Sequence, residues 1–268
     1  MSISPWSFSR IKSFEQCPKQ FYHLKIAKDY VESETEAMRY GTEAHLVAEE
    51  FIGSDKPIPK RFNFMKPVLE ALKARDGEKH CEMKLGLTQD LEPCSFTSKH
   101  VWWRGIVDLV IIHGEKAWIV DYKTSKSAKY ADKGQLELMA LATFKYFPKI
   151  KTINAGLLFV VSNNFIKQTY TDDMIPELWK KWLYNDARME IEHSNNVWNA
   201  HPSGLCKRHC VVFVCNALFP SATLLAPVVL AYKAALPTAT LSVPVVVFSK
   251  DEAPIAVFPS AVVAALKA

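Results

Sequence analysis

Three charged residues interrupt apolar runs in the middle of this 268-residue chain. Asp108 breaks Gly105-Ile-Val-Asp-Leu-Val-Ile-Ile112, and Asp121 and Lys123 end Ala117-Trp-Ile-Val-Asp-Tyr-Lys-Thr124. Runs rich in Val and Ile read as strands, and side chains alternate along a strand. Asp121 and Lys123 therefore share a face while Tyr122 points the other way. Asp108 lies on the preceding strand, across a short turn, where the two carboxylates can meet near one edge. Unpaired buried charge is costly, so carboxylates brought together call for a cation. Oxygen donors without a majority of His or Cys favour a hard ion such as Mg2+ or Mn2+. A lysine beside them can orient a water or steady developing negative charge. Spacing alone equally admits a plainer arrangement, in which Asp108 and Asp121 are strand-end carboxylates paired with Lys123 or Arg104.

A second cluster lies near the C-terminal third. Of the six cysteines (17, 81, 94, 206, 210 and 215), three fall in Cys206-Lys-Arg-His-Cys210-Val-Val-Phe-Val-Cys215. The N-terminus, Met1 to Arg10, carries no apolar run behind a basic head and does not read as a signal peptide. Clustered thiols in such a chain favour metal ligation over disulfides, with ordinary free thiols as the alternative. Three thiolates need a fourth, and in a zinc site His209 can replace one of the four. Cys81 and Cys94 lack such company and read as packing residues.

The elements that must position these groups follow from periodicity. Ser7 or Ser9 caps a helical pattern through Ile11, Phe14, Phe21, Leu24 and Ile26. Gly41 is expected to open a second helix with Ala44, Val47, Ala48 and Phe51 on its apolar face, and Met65 to Leu72 a third. Short Val-, Ile- and Trp-rich runs then read as strands: Cys81–Thr88, Phe96–Asp108, Leu109–His113 and Ala117–Tyr122, with a hairpin turn at His113-Gly-Glu-Lys116. A helix from Lys133 to Phe147, strands at Ile153–Val161 and Phe165–Thr171, and a long helix from Met174 to Val197 complete the order. That order is an α/β sandwich around a mixed sheet.

Composition sets the boundaries. A chain of this length with 49% hydrophobic and 23% charged residues is neither disordered, collagenous nor disulfide-dense. Its 33 Lys+Arg against 28 Asp+Glu give +5, which permits a polyanionic partner without demanding one. The averages conceal a break: residues 216–268 hold five charges, no Gly and no Trp, but six of the fifteen Pro. We expect a folded domain over 1–215 and an Ala/Val/Pro-rich tail over 216–268, a poorly folded or foreign extension. The uncharged stretch from Val211 to Tyr232 is long enough to raise a membrane span, but Pro220, Pro227 and Asn216 argue against one.

Several segments fall into a known order. Ser7-Phe-Ser-Arg10 with Cys17-Pro-Lys-Gln-Phe21, Gly41-Thr-Glu-Ala-His45, Gly105-Ile-Val-Asp108, Asp121-Tyr-Lys-Thr124 and Gln135-Leu-Glu-Leu-Met139 together resemble the PD-(D/E)xK nuclease superfamily. The branch is that of RecB-type nuclease domains, CRISPR-adaptation exonucleases and phage exonucleases. The resemblance implies an α/β, restriction-endonuclease-like core with a central mixed β-sheet flanked by helices. It implies that His45, Asp108 and Asp121 bind Mg2+ or Mn2+, that Lys123 serves the attacking water, and that Gln135 positions Lys123 or the phosphate. Met139 stands where a Tyr is usual, so Gln135 alone carries over from that motif. Glu82 is a further metal candidate, with an exposed strand residue as the alternative. The resemblance also nominates Cys17 to join Cys206, Cys210 and Cys215 around a [4Fe–4S] cluster, Zn2+ being the alternative.

The function implied is a metal-dependent DNA exonuclease acting in recombination, repair or degradation, in the cytoplasm of a bacterial or phage-infected cell. DNA is the expected partner, with a single-strand-annealing protein or helicase beside it and no membrane. Lys126, Lys129 and Lys133 follow the site and either contact the DNA backbone or form a solvated face. One of Trp102 and Trp103 is free to stack a base. The competing readings are a non-catalytic nucleic-acid-binding accessory protein and a metal-stabilised interaction module. Neither needs the Asp/Asp/Lys set.

Overall fold

The computed structural model describes residues 5–129, 131–204, 206 and 210–212, together with the backbone of five short strands beyond them. Two compact units make up the chain: Met1–Glu15 with Glu32–Val197, and Gln16–Val31 with Trp198–Ala268.

The first unit is built on a six-stranded mixed sheet with the order β2-β1-β3-β4-β5-β6. Its strands are β1 (Glu78–Leu87), β2 (Pro93–Cys94), β3 (Trp103–His113), β4 (Lys116–Lys123), β5 (Thr152–Phe159) and β6 (Asn164–Thr171). Neighbours are antiparallel except β4 and β5, which are parallel because helix α5 (Gly134–Tyr146) carries the chain back between them. The β3–β4 hairpin closes on Gly114 and Glu115, and Gly114 takes the positive φ of 60° that such a tight turn needs.

After helix α1 (Phe8–Gln16), helices cover both faces of the sheet. On one, helix α3 (Glu36–Ser54), the 3-10 turn Lys60–Met65 and helix α4 (Lys66–Ala74) pack Ala44, Val47, Ala48, Ile52, Phe62, Met65 and Leu69 against Leu109, Ile111, Val120, Tyr122 and Leu158. Strand alternation turns Asp108, Asp121 and Lys123 to the opposite face, where α5 lies. Almost every side of α5 is buried, since helix α6 (Ile175–Asn195) packs on it in turn. This is the α/β, restriction-endonuclease-like architecture with helices flanking a mixed sheet.

Three expectations shift. Helix α3 starts at Glu36 rather than Gly41, because the Thr35 hydroxyl accepts the Met38 amide as an N-cap. Gly41 therefore lies inside the helix, one turn before His45 and on the same side. Residues 96–102 form turns instead of strand, since Ser95 and Ser98 side chains bond nearby amides and compete with the ladder. Asp108 and Leu109 consequently belong to one uninterrupted strand. Trp102 and Trp103 are both buried, in edge-on contact with Trp6, and neither offers a face to a base.

In the second unit, helix α2 (Pro18–Phe21) runs into a π-helical turn at Tyr22–Ile26. The Lys19 amide donates to Asn199 O at 3.1 Å, and the Trp198 ring lies against Phe21 and Tyr22. Farther along, β7 (Ser221–Leu224), β9 (Thr238–Leu241) and β11 (Ile255–Val257) form one parallel sheet, and β8 (Val229–Leu230) pairs with β10 (Val246–Val247).

Candidate active site

The two central aspartates sit where two ladders part. The β3–β4 register pairs Leu109 with Val120 and stops there, so Asp108 and Asp121 are the next residues, facing each other across the opening strands. In place of the ladder bond, the Tyr122 amide donates to Asp108 Oδ2 at 2.7 Å. Strand β4 keeps its shape past this point because β5 pairs with it through Asp121–Leu157, Tyr122–Leu158 and Lys123–Phe159. Both carboxylates are buried, Asp108 7% and Asp121 2% exposed.

A second parting occurs on the other side of Asp108. The β1–β3 ladder pairs Cys81 with Leu109 and Met83 with Val107 but skips Glu82, which lies opposite Asp108. Glu82 has φ 47°, a left-handed conformation unusual for a residue with a Cβ in mid-strand. Such backbone persists where its surroundings over-determine it and is concentrated at functional sites. The result is that His45, Glu82 and Asp108 bring one potential ligand atom each to within 4.8 Å of one another, the group that converges in this way among the described residues.

His45 reaches this point from α3. Its Nε2 lies 3.0 Å from Tyr122 O, and a carbonyl can only accept, so Nε2 carries the hydrogen. Nδ1 is thereby turned to the carboxylates, 3.3 Å from Asp108 Oδ2 and 3.9 Å from Glu82 Oε1. An imidazole whose far nitrogen donates to a backbone carbonyl is the usual posture of a metal-ligating histidine. Burial pulls its pKa down, but Asp108, then Asp121 and Glu82, more than offset this and raise it above the ordinary value. Burial followed by Asp108 pushes the Glu82 carboxyl up, against the pull of His45. The same two causes push Asp121 up, opposed by Lys123 and His45. This is the electrostatic condition of carboxylates crowded together, which a divalent cation would relieve.

Asp121 stands beside that triad, tied into another network. Its Oδ2 pairs with Lys123 Nζ at 2.6 Å, and its Oδ1 accepts from Gln135 Nε2 at 2.6 Å. Gln135 Oε1 in turn accepts from Lys123 Nζ at 2.9 Å, closing a triangle. Gln135 holds this place because it lies in the first turn of α5, just after Gly134, whose amide is bonded by Asp132 at 2.8 Å. Met139, one turn on, is buried in the core.

The other expected residues fall elsewhere. Lys126, Lys129 and Lys133 are exposed between β4 and α5, and Lys133 Nζ reaches Gln168 Oε1 at 3.4 Å. Cys81 packs against the core beneath α3. In the second unit, Cys17, Cys206 and Cys210 each take an N–H donor on sulfur: His201 N at 3.4 Å, Ser203 N at 3.3 Å and Gln20 Nε2 at 3.5 Å. Cys215 and His209 lie outside the described residues. Residue types alone did not reveal the Tyr122 backbone, whose amide and carbonyl fix Asp108 and His45. The signal available for it was its place between Asp121 and Lys123.

No helix among the described residues is long and apolar enough to cross a membrane. No curated protein matches the chain. Twenty-eight chains of solved structures resemble it, among them the following two. A candidate exonuclease from Eubacterium rectale is 12% identical, with a TM-score of 0.46 over 77% of this chain and 88% of that one. The structure of SSO0001 is 15% identical, with a TM-score of 0.32 over 79% of this chain and 96% of that one. The sequence model of the PD-(D/E)XK nuclease superfamily matches residues 5–215, which contain both carboxylate networks. The chain belongs to the PD-(D/E)XK nuclease superfamily.

Proposed function

We propose that this nuclease is a metal-dependent DNA exonuclease and that His45, Glu82, Asp108 and Asp121 hold its divalent ion, Mg2+ or Mn2+. The observation that carries the reading is the splayed end of β3 and β4, where the Asp108 carboxylate, the Glu82 carboxylate on strained backbone and the His45 imidazole converge, with buried Asp121 beside them. Three oxygen donors with one nitrogen suit Mn2+ and also admit Mg2+. The ion would supply Lewis-acid charge to offset the negative charge that accumulates on the phosphate during attack. Lys123 has the protein's part in the hydrolysis: its ammonium orients the attacking water and stabilises the developing oxyanion. Gln135, bonded to both Lys123 and Asp121, restrains the ammonium, which limits the orientational freedom that would otherwise slow the reaction. His45 would hold the ion through Nδ1, since Tyr122 O keeps the proton on Nε2.

Exonuclease action on DNA is tested with closed circular and linear DNA of the same sequence in Mg2+ or Mn2+. Release of nucleotides from linear DNA with the circle left intact supports the reading. Cutting of the circle contradicts it.

We also propose that Cys17, Cys206, Cys210 and Cys215 hold a [4Fe–4S] cluster, with Zn2+ as the alternative occupant. Three of these sulfurs take an N–H donor, and hydrogen bonds of this kind tune iron–sulfur centres. A brown protein whose visible absorbance is lost in Cys210→Ala would support the cluster. A colourless protein that retains stoichiometric zinc would assign the alternative.

A further inference from the structure

Beyond the Glu82–Asp108 pair, strands β1 and β3 run on together, and one side of them stays open to solvent. Side chains alternate along a strand, so Ile106 and Arg104 follow Asp108 on the same side of β3. The ladder sets Lys84 opposite Ile106 and Gly86 opposite Arg104. Residues of the other parity, Leu85, Leu87, Trp103 and Val107, are buried. Lys84 is exposed, Ile106 is 38% exposed and Arg104 is half-buried. A shelf of two cations about an apolar side chain thus begins at the candidate metal ligands.

Acids do not neutralise this shelf. Glu82 and Asp108 face His45, Asp121 pairs with Lys123, and no carboxylate among the described residues pairs with Lys84 or Arg104. The chain at Phe96 passes so near Gly86 that a Cβ there would lie 3.3 Å from Phe96 Cα. This approach brings the Phe96 ring to Arg104, whose guanidinium lies 5.0 Å from the ring centroid. Stacking steadies the guanidinium and leaves its N–H donors open to an anion. Arg10 of α1 adds charge nearby: burial, then Arg104, lowers its pKa, as for like charges held close. The length of the shelf suits a nucleic-acid strand. Residues advance about 3.3 Å each along a β-strand, which puts Ile106 about 7 Å and Arg104 about 13 Å from Asp108. One strand of B-form DNA carries a phosphate per about 3.4 Å of axis, so the shelf spans about four nucleotides. A phosphate chain laid along β3 meets Lys84 and Arg104 in turn.

We propose that the β1–β3 shelf holds the DNA strand being cut, with Lys84 and Arg104 contacting phosphates about two and four nucleotides from the scissile one. This assignment rests on the nuclease reading above and adds the residues that grip the substrate. Its test is equilibrium binding of a labelled single-stranded oligonucleotide by the full chain in EDTA, across a salt titration. Lys84→Gln and Arg104→Gln each weaken binding about five- to tenfold in low salt and lower the salt slope by about 0.7. Lys84→Arg keeps both at the parental values. Lys116→Gln removes an exposed charge at the far end of β4 and leaves affinity and slope unchanged. Melts on the same samples show that each variant is folded, and the exposed Lys84 keeps the test valid if Arg104→Gln melts early. Parental affinity and slope in folded Lys84→Gln and Arg104→Gln, or an equal loss in Lys116→Gln, overturns the proposal. Cleavage of linear DNA in Mn2+, followed in parallel, separates the two readings. Cleavage by the parent with binding unchanged in both variants sinks the shelf alone, and slope loss in both without cleavage by the parent sinks the nuclease reading alone.

Discussion

The Asp108 carboxylate accepts the Tyr122 amide at 2.7 Å, occupying the place of a ladder bond just where β3 and β4 part. One side chain thus serves the backbone through an oxygen and lends its charge to the site. Structure and chemistry separate in two variants. Asp108→Asn retains an acceptor for Tyr122 N–H and should melt near the parent while losing activity. Asp108→Ala leaves that buried amide unpaired and should cost about 1–3 kcal/mol in addition. Denaturant melts of both variants check this.

Gln135 touches Lys123 and Asp121 at once. Gln135→Ala leaves the Lys123–Asp121 pair but frees Lys123 to turn, so kcat should fall on the order of ten- to a hundredfold with KM little changed. Gln135→Glu keeps the shape but offers Asp121 an acceptor where a donor stood, and should not rescue the rate. Steady-state kinetics distinguish these outcomes.

Crowded carboxylates give metal binding a pH signature. Glu82 and Asp121 have raised pKa values in the folded protein, so they are protonated more readily there than in the unfolded chain. Their unfavourable ionisation appears as pH rises through the raised folded values, and relief by a divalent ion grows over the same window. The stabilisation from Mn2+ should therefore be large at neutral pH, about 2.7 kcal/mol at a hundredfold excess over Kd, and fade in acid. His45→Ala should reduce it. Thermal melts with and without Mn2+ at several pH values provide the measurement.

Asp186 titrates away from the site. Burial, then Glu190, raises its pKa to about 6, although the Trp102 Nε1 donor opposes the shift. A carboxyl raised in the folded state contributes stability while protonated and loses it as pH climbs from its unfolded value of 3.8 to about 6. Asp186→Asn keeps an acceptor for Trp102 and should be more stable than the parent above that window, by roughly 1–3 kcal/mol, and no more stable in strong acid. Equality of the two proteins across pH would contradict the assignment.

The catalytic candidates were legible where chemistry clashed with pattern. Asp108, Asp121 and Lys123 stand out because strands rich in Val and Ile do not tolerate charge without purpose. His45 and Gln135 were weaker signals, since each sits on a helix whose apolar face alone does not say what lies opposite. Glu82 was hard to weigh from sequence because its importance rests on a φ of 47°, which tertiary packing imposes and residue type does not encode. Gly41 resembles a helix start because glycine is a poor helix interior residue, but the Thr35 cap upstream outweighs that local cost of about 1 kcal/mol. Trp102 and Trp103 both turn inward because Trp6, from the N-terminal segment, bridges to Trp103 as an extra strand-like contact, a pairing no local pattern announces.

The role of Asp121 and Lys123 is tested most directly by hydrolysis of linear DNA in Mn2+ by the parent, Lys123→Ala and Asp121→Ala, with melting temperatures measured on the same samples. Digestion by the parent is expected, with a loss of about a hundredfold or more in both variants while each stays folded. Digestion by folded Lys123→Ala at the parental rate, or no hydrolysis by the parent, would contradict that role.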